Sequence, residues 1–216
     1  MSLGRLHHKS INKVLGHRER AQHIQRGLPD TDPWCTRLMT EALISDIWQS
    51  WEYFCRWLVL HSCRGTLSRN GKHISPRSAD NTWPAIGYIA KNVAQKQGYK
   101  KGGSITSYRQ EPTWGNRDKL IDIVQVLKPA NENQLITVMG LPLPGPTHLH
   151  KVRNACAHKN VESLQEVRAL LPYYSASHIG TPSEMAWDIV AGRPLLGIFS
   201  WIDDIIVIVE EATKIP

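Results

Sequence analysis

Residues 31–65, TDPWCTRLMTEALISDIWQSWEYFCRWLVLHSCRG, decide the fold of this chain. Asp32 is suited to cap a helix, and Pro33 to fill its first position, where proline's missing N–H costs nothing. Beyond them, large apolar side chains recur at spacings of three and four, which is the period of a helix face. These side chains are Leu38, Leu43, Ile47, Trp48, Trp51, Phe54, Cys55 and Leu58. We therefore expect one long, buried helix that ends near residues 61–65.

The rest of the chain divides into further helical segments. We predict helices within 80–96, 116–127, 131–139, 147–158, 181–192 and 194–212. Candidate capping residues are Asn131 with Gln134, Thr147 alone, and Thr181 with Glu184. No stretch alternates apolar and polar residues over a length that would favour a β-sheet. The fold class that we predict is all-α, with a long first core helix.

Length and composition favour one main domain. The chain has 216 residues, of which 41% are hydrophobic, and this is enough for one sizeable core. Residues 1–30 are basic and histidine-rich with sparse apolar positions, so we expect a surface helix or a partly ordered arm there. We assign residues 31–216 to a single helical domain.

The charge of the chain favours a polyanionic partner such as RNA or DNA. The formal net charge is +7, and its lysines and arginines are spread along the chain instead of forming one tail. The four cysteines match neither a zinc ribbon nor a redox pair, so we expect reduced thiols. Residues 1–20 contain no apolar leader, and the apolar C-terminal segment is interrupted by Asp203 and Asp204. We expect a soluble cytoplasmic protein with no membrane partner.

The segment 150–160, HKVRNACAHKN, places a polar cluster inside a predicted helix. At about 100° per residue, Leu149, Val152 and Cys156 share one side of this helix. The opposite side carries His150, Asn154 and His158, with Arg153 between the two faces. One interpretation is a polar stripe in water. The other is a functional surface, since the small residues at 155 and 157 would let a ligand or a second backbone approach closely.

The polar residues of this segment suit the cleavage of RNA without a metal ion. An imidazole can exchange a proton near neutral pH, a guanidinium matches phosphate, and an amide can orient either group. In that reaction a base deprotonates the ribose 2′-OH, a cation stabilises the phosphoryl oxygens, and an acid protonates the leaving 5′-oxygen. One helix offers a single good base, so a second copy related by two-fold symmetry would complete the set.

The residues RNACAH, 153–158, resemble the signature of the HEPN superfamily, an R-x4-6-H pattern in which Asn, Asp or His often follows the Arg and Ala often precedes the final His. The chain also has some similarity to the RiboL-PSP-type branch of that superfamily. The resemblance implies a helical bundle, a homodimer, and metal-independent endoribonuclease activity with no cofactor. It makes Arg153, Asn154 and His158 the catalytic positions. Such proteins are common as toxins and antiviral effectors, so a cognate antitoxin or a sensor protein is a further expected partner.

The second position of the motif makes it specific. Arg-x4-His also occurs at 18–23 and at 56–61, so the bare pattern carries little information. Only Arg153 of the three is followed by Asn. We expect the arginine at 56, inside an apolar run, to be structural.

Several other residues are candidates for binding the substrate. His150, Lys151 and Lys159 would widen a positive cleft around the motif. Lys100 and Lys101 lie in the basic segment 98–115, which is either an RNA-contacting loop or a solvated connector. Trp114 at its end is the tryptophan that we expect to stack on a base, the others being core residues.

We expect no metal site, because His148, His150 and His158 are better explained as positions on a helix than as ligands. The leading hypothesis is therefore a dimeric HEPN-type endoribonuclease. The alternatives are a HEPN-like module that binds RNA, a nucleotide or a protein partner without cleavage, and an unrelated helical interaction domain.

Overall fold

The computed structural model describes residues 1–27 and 32–215, and this part of the chain is mostly helical. The prediction of a helical protein is confirmed. The α-helices are α1 (Leu3–Gly27), α2 (Pro33–Arg64), α3 (Trp83–Ala94), α4 (Arg117–Leu127), α5 (Glu132–Met139), α6 (Gly145–His158), α7 (Val161–Arg168) and α8 (Gly197–Thr213). Short 3₁₀ helices occupy Tyr108–Gln110, Leu171–Tyr173 and Pro182–Trp187. No helix of the described ranges is long and apolar enough to cross a membrane.

Helix α2 begins and ends where its sequence predicts. The Asp32 carboxylate accepts hydrogen bonds from the backbone N–H groups of Trp34 and Cys35, at 3.0 and 3.1 Å. Side-chain capping of this kind satisfies donors that the first helical turn leaves unpaired. The apolar stripe from Leu43 to Leu58 is buried, whereas Leu38 in the first turns is exposed.

The basic N-terminal segment forms helix α1. Its apolar face buries Leu3, Leu6, Val14 and Ala21, while Leu15 is exposed. The predicted boundary at residue 30 lies outside the described residues.

Two short strands depart from the predicted all-helical chain. Strands β1 (Thr66–Leu67) and β2 (His73–Ile74) pair antiparallel directly after α2. Each strand has only two residues, so the side-chain alternation that would reveal a strand in the sequence is absent. The hairpin reverses the chain at Gly71, whose φ of +81° favours glycine.

The chain groups into two compact units. Unit 1 comprises Met1–Ile11, Glu52–Pro142 and Val207–Pro216, and unit 2 comprises Asn12–Trp51 and Leu143–Ile206. The apolar core of unit 1 includes Leu6, Phe54, Leu58, Ile86, Ile123, Val124, Leu135 and Ile208. That of unit 2 includes Leu43, Ile44, Ile47, Trp48, Leu149, Val152, Trp201 and Ile202.

The start of helix α6 is fixed by helix α8. The buried Asp204 carboxylate accepts a hydrogen bond from the backbone N–H of Gly145 at 2.7 Å. A Cβ at position 145 would lie 2.8 Å from both Trp201 Cα and Asp204 Cβ, so only glycine fits there. The prediction of Thr147 as N-cap is therefore wrong. The helix begins two residues before Thr147, and its first N–H group is capped by Asp204 of helix α8.

The two other predicted capping pairs have different outcomes. Helix α5 starts at Glu132 as predicted, but the side chains of Asn131 and Gln134 do not cap it. The Asn131 amide contacts Ser62, and the Gln134 amide donates to backbone carbonyls near the C-terminus, so both are used in tertiary contacts. The Thr181 and Glu184 pair is confirmed, with the Thr181 N–H donating to the Glu184 carboxylate at 3.1 Å. It opens a 3₁₀ helix that ends at Trp187, instead of an α-helix that continues to residue 192.

Candidate functional site

Helix α6 has the two faces that its sequence predicts. Leu149, Val152 and Cys156 are buried and face the core of unit 2. Arg153 and Asn154 are half-buried, and His158 at the end of the helix is exposed. The polar face is therefore at the surface.

A chain of hydrogen bonds links the polar side chains of this face. The Arg153 Nη1–H donates to Asn154 Oδ1 at 3.2 Å. The amide nitrogen of Asn154 lies 3.0 Å from His150 Nε2, to which it can donate when that nitrogen is unprotonated. The His150 ring stacks on Trp48, a buried residue of α2, with ring centroids 4.5 Å apart and planes 13° apart. Asn154 thus connects the guanidinium to an imidazole that is itself held by the core.

His158 is the last residue of α6 and is not part of this chain. Lys159 follows it in a left-handed conformation with φ of 50°, which ends the helix. Five residues of an α-helix correspond to a rotation of roughly 140°, so the side chains of Arg153 and His158 diverge around the helix axis. Between them Ala157 is exposed, but Ala155 is buried. The expectation that both alanines border an open surface is wrong for Ala155, because that position turns toward the core.

The three Arg-x4-His segments differ in what their arginines contact. Arg18 forms an ion pair with Asp203. Arg56 donates two hydrogen bonds to the Glu111 carboxylate, at 2.6 and 2.8 Å, which confirms that it is structural. Within the described ranges, Arg153 has no carboxylate within ion-pair distance. Of the three guanidinium groups, that of Arg153 keeps its charge available for an external anion.

The histidines of the Arg-x4-His segments differ in their exposure to solvent. His61 is buried, and burial lowers its pKa to about 4, with the N-terminal amine and Arg64 adding to the effect. His158 is exposed to solvent. A histidine must be accessible to a substrate to transfer a proton. His158 and His23 are exposed and His61 is buried, so accessibility excludes His61 alone.

His148 belongs to a different environment from His150 and His158. It is buried in unit 2, where its Nδ1 lies 2.9 Å from the Tyr174 hydroxyl, which also accepts a hydrogen bond from the Trp201 indole at 2.8 Å. Burial, assisted by the charge of Lys151, lowers the pKa of His148 to about 4. The imidazole is therefore neutral near pH 7, and its tautomer decides whether Nδ1 or the Tyr174 hydroxyl donates. Over the described ranges, no three His, Cys, Asp or Glu side chains are grouped so that they could hold a metal ion.

A small cavity lies beside the end of α6 within unit 2. It has a volume of about 270 Å³, and its lining includes Arg37, Glu41, Cys156 and Lys159. Glu41 accepts a hydrogen bond from Arg37 at 2.8 Å and lies 3.6 Å from the Lys159 ammonium. Burial, followed by the charge of Glu41, raises the pKa of Cys156 to about 12, so its thiol is not a nucleophile at neutral pH. Glu41 thus partly neutralises the charge of Lys159. Lys151, the other predicted substrate-binding lysine of this region, is half-buried on α6.

The other predicted substrate-binding residues belong to unit 1. Lys100 and Lys101 are exposed, which agrees with both an RNA-contacting loop and a solvated connector. Trp114 is only 4% exposed, and its indole N–H donates to Glu111 at 2.6 Å. The expectation that Trp114 stacks on a base is wrong, because its ring is buried. The expectation that the other tryptophans are core residues is wrong for Trp34, which is 66% exposed.

Sequence reasoning did not identify the support of His150 by Trp48 or the pairing of His148 with Tyr174. Both depend on residues more than twenty positions apart, and neither has a local sequence signal. No family model, curated protein or solved structure matches the chain in the comparisons with known proteins.

Proposed function

We propose that this protein is a metal-independent endoribonuclease of the HEPN type, in which Arg153, Asn154 and His158 form the active site. The observation that carries the proposal is the pair formed by Arg153 and Asn154. Asn154 is the residue that distinguishes this motif from the other two Arg-x4-His segments, and its amide binds both Arg153 and His150. The residue that makes this motif distinctive, Asn154, is therefore also the residue that positions the Arg153 guanidinium.

The side chains take the following roles in the proposal. Arg153 binds the scissile phosphate and stabilises the charge that develops on its oxygens. His158 exchanges a proton with either the 2′-OH or the leaving 5′-oxygen. Attack of the 2′-oxygen on phosphorus releases the 5′-oxygen, which leaves as a hydroxyl, and the other product ends in a 2′,3′-cyclic phosphate. Asn154 orients Arg153, and His150, held by Trp48, orients Asn154.

A homodimer would resolve the divergence of Arg153 and His158 on one helix. The two side chains point roughly 140° apart, which is awkward for gripping one phosphate. Two copies of α6 related by a two-fold axis would bring the Arg of one chain near the His of the other and supply a second imidazole. Exposed Ala157 offers room for that approach. A role as a toxin or antiviral effector, controlled by an antitoxin or sensor, belongs to the same proposal.

A second candidate function is RNA binding without cleavage. It is favoured by the same hydrogen bonds, since they tie His150 and Asn154 to each other and leave one exposed histidine on the helix. In that case α6 would be a phosphate-binding surface with Arg153 as its main cation.

A cleavage assay separates the two candidates. Purified protein is incubated with a mixed-sequence RNA in excess EDTA, alongside Arg153→Ala, His158→Ala and a matched pair, Arg56→Ala and His61→Ala. We expect wild-type cleavage with 2′,3′-cyclic phosphate and 5′-OH ends, and its loss in the first two variants. The matched pair should retain specific activity in the fraction that folds. Intact RNA with wild-type protein that still binds it would favour the second candidate, and a strict Mg²⁺ requirement or 5′-phosphate ends would refute the mechanism.

A further inference from the structure

An exposed tyrosine projects from the basic segment of unit 1. Tyr108 is 68% exposed and opens the 3₁₀ helix Tyr108–Gln110. Local hydrogen bonds fix this turn: Ser107 Oγ accepts from the Arg109 N–H at 3.2 Å, and Gln110 Oε1 accepts from the Thr106 N–H at 2.8 Å. The backbone beneath the ring is therefore held in one conformation.

The Tyr108 ring rests on a part-buried polar network. Its centroid lies 4.5 Å from that of Trp83 and 4.8 Å from the Arg56 guanidinium. Arg56 and Trp83 both donate to Glu111, whose side chain is only 5% exposed. These contacts cover the ring only in part, so an aromatic surface remains open to solvent while its support is rigid.

The surroundings of this ring in the sequence are cationic. Residues 95–110 contain Lys96, Lys100, Lys101 and Arg109 but no Asp or Glu. All four cations are exposed, and a second tyrosine, Tyr99, is 46% exposed. The nearest acid along the chain is Glu111, whose charge is neutralised by Arg56.

The segment that carries these cations is packed against helix α3. A Cβ at Gly103 would lie 2.1 Å from the Tyr88 ring, so the chain passes close over that ring and a larger residue at position 103 would displace it. The next anchor is Ile105, a buried residue whose N–H donates to the Pro84 carbonyl at 3.1 Å. These contacts anchor the backbone of the segment that carries the lysines, so less backbone freedom is lost on binding than in an unanchored loop.

We propose that this surface binds single-stranded RNA, with Tyr108 stacking on a base and Lys100, Lys101 and Arg109 contacting phosphates. Rigid aromatic rings flanked by cations are the features by which proteins bind single strands, because every base has a face that can stack. The surface belongs to unit 1, whereas Arg153 and His158 belong to unit 2. The choice of RNA over single-stranded DNA rests on the proposed ribonuclease function.

The test measures binding separately from cleavage. A fluorescent 2′-O-methyl RNA lacks the 2′-OH nucleophile, so its affinity for the full chain can be measured by anisotropy without turnover. Tyr108→Leu should weaken binding by about 5- to 140-fold, the range expected for the loss of one stacked base. Tyr108→Phe should bind within about twofold of wild type, because stacking needs the ring and not the hydroxyl. Tyr173→Leu is the matched control, since Tyr173 is also exposed on a 3₁₀ helix but lies in unit 2, and it should bind as wild type.

The salt dependence tests the lysines. Lys100→Gln with Lys101→Gln should reduce the slope of log affinity against log salt by about 1.4, since each phosphate contact on a single strand contributes about 0.7. A Tyr108→Leu protein that binds as wild type, or a double-lysine variant with an unchanged slope, overturns the proposal. So does a wild-type protein that fails to bind the oligonucleotide.

The two proposals fail in different ways. If unmodified RNA is cleaved but Tyr108→Leu binds normally, this surface is refuted and the ribonuclease stands. If RNA is bound through Tyr108 but never cleaved, the ribonuclease is refuted and this surface stands.

Discussion

Replacing Arg56 and Arg153 in parallel compares a structural arginine with the one that we propose to be functional. Both begin an Arg-x4-His segment, and Arg→Met keeps most of the side-chain volume while it removes the charge and the donors. Arg56→Met leaves Glu111, 5% exposed, without the two charged hydrogen bonds that it accepts at 2.6 and 2.8 Å. Breaking one side of a buried ion pair costs about 3–5 kcal/mol. The indole N–H groups of Trp83 and Trp114 still donate to the carboxylate, so we expect Arg56→Met to lower the free energy of unfolding by about 3 kcal/mol, the lower end of that range.

Arg153→Met should be far milder. Arg153 is half-buried and makes a single hydrogen bond to its neighbour Asn154, so its loss should cost less than about 1 kcal/mol. At about 2–4 °C per kcal/mol for a chain of this size, thermal unfolding should shift by roughly 6–12 °C for Arg56→Met and by less than about 4 °C for Arg153→Met. Equal shifts would refute the reasoning, because Arg153 would then be as structural as Arg56.

Further predictions concern the support of α6, the pH dependence of stability and the shared site. Gly145→Ala should destabilise the fold by about 1–3 kcal/mol in urea titrations, because the added methyl meets Trp201 and Asp204; a neutral result would contradict the close packing. Because burial lowers the pKa of His148 to about 4 while the unfolded chain titrates near 6.5, the unfolded state binds the extra proton, and stability should fall as the pH falls from 6.5 to 4. In urea titrations across that range, the free energy of unfolding of His148→Phe should decline less steeply with falling pH than that of the wild type, by up to about 1.4 kcal/mol per pH unit. An unchanged slope would show that His148 is not the group whose protonation destabilises the fold. Co-refolded mixtures of Arg153→Ala and His158→Ala proteins should regain part of the activity that each lacks; a wild type that sediments as a strict monomer at micromolar concentration would exclude the shared cleft.

The long helix and the faces of α6 could be predicted because their signals are local. Asp32 and Pro33 mark the start of α2 within four residues of sequence, and the spacing of apolar residues defines its length. The same periodicity placed Leu149 and Val152 in the core. Local signals of this kind predict the structure correctly where tertiary packing favours the same conformation.

The misassigned residues have tertiary causes. Thr147 does not cap α6, because the helix already begins at Gly145. There the carboxylate of Asp204, more than fifty residues away in sequence, accepts the hydrogen bond from the Gly145 N–H. The basic neighbours of Trp114 favour a surface position, yet its indole N–H donates to Glu111 and the ring is buried. Tyr108, six residues earlier, occupies the exposed position instead. A sequence shows which residues are aromatic, but only packing decides which ring remains outside.

The central claim is that the 2′-OH of RNA is the nucleophile at an Arg153 and His158 site, and a single-site substitution in the substrate tests it most directly. After the main cleavage site of a defined RNA is mapped in EDTA, the nucleotide on its 5′ side is replaced by its 2′-O-methyl form, and product at that bond is measured at single turnover. We expect cleavage at the modified bond to disappear while other bonds are still cut, because no 2′-oxygen is free to attack the phosphate. Cleavage at the modified bond at the unmodified rate would contradict the account.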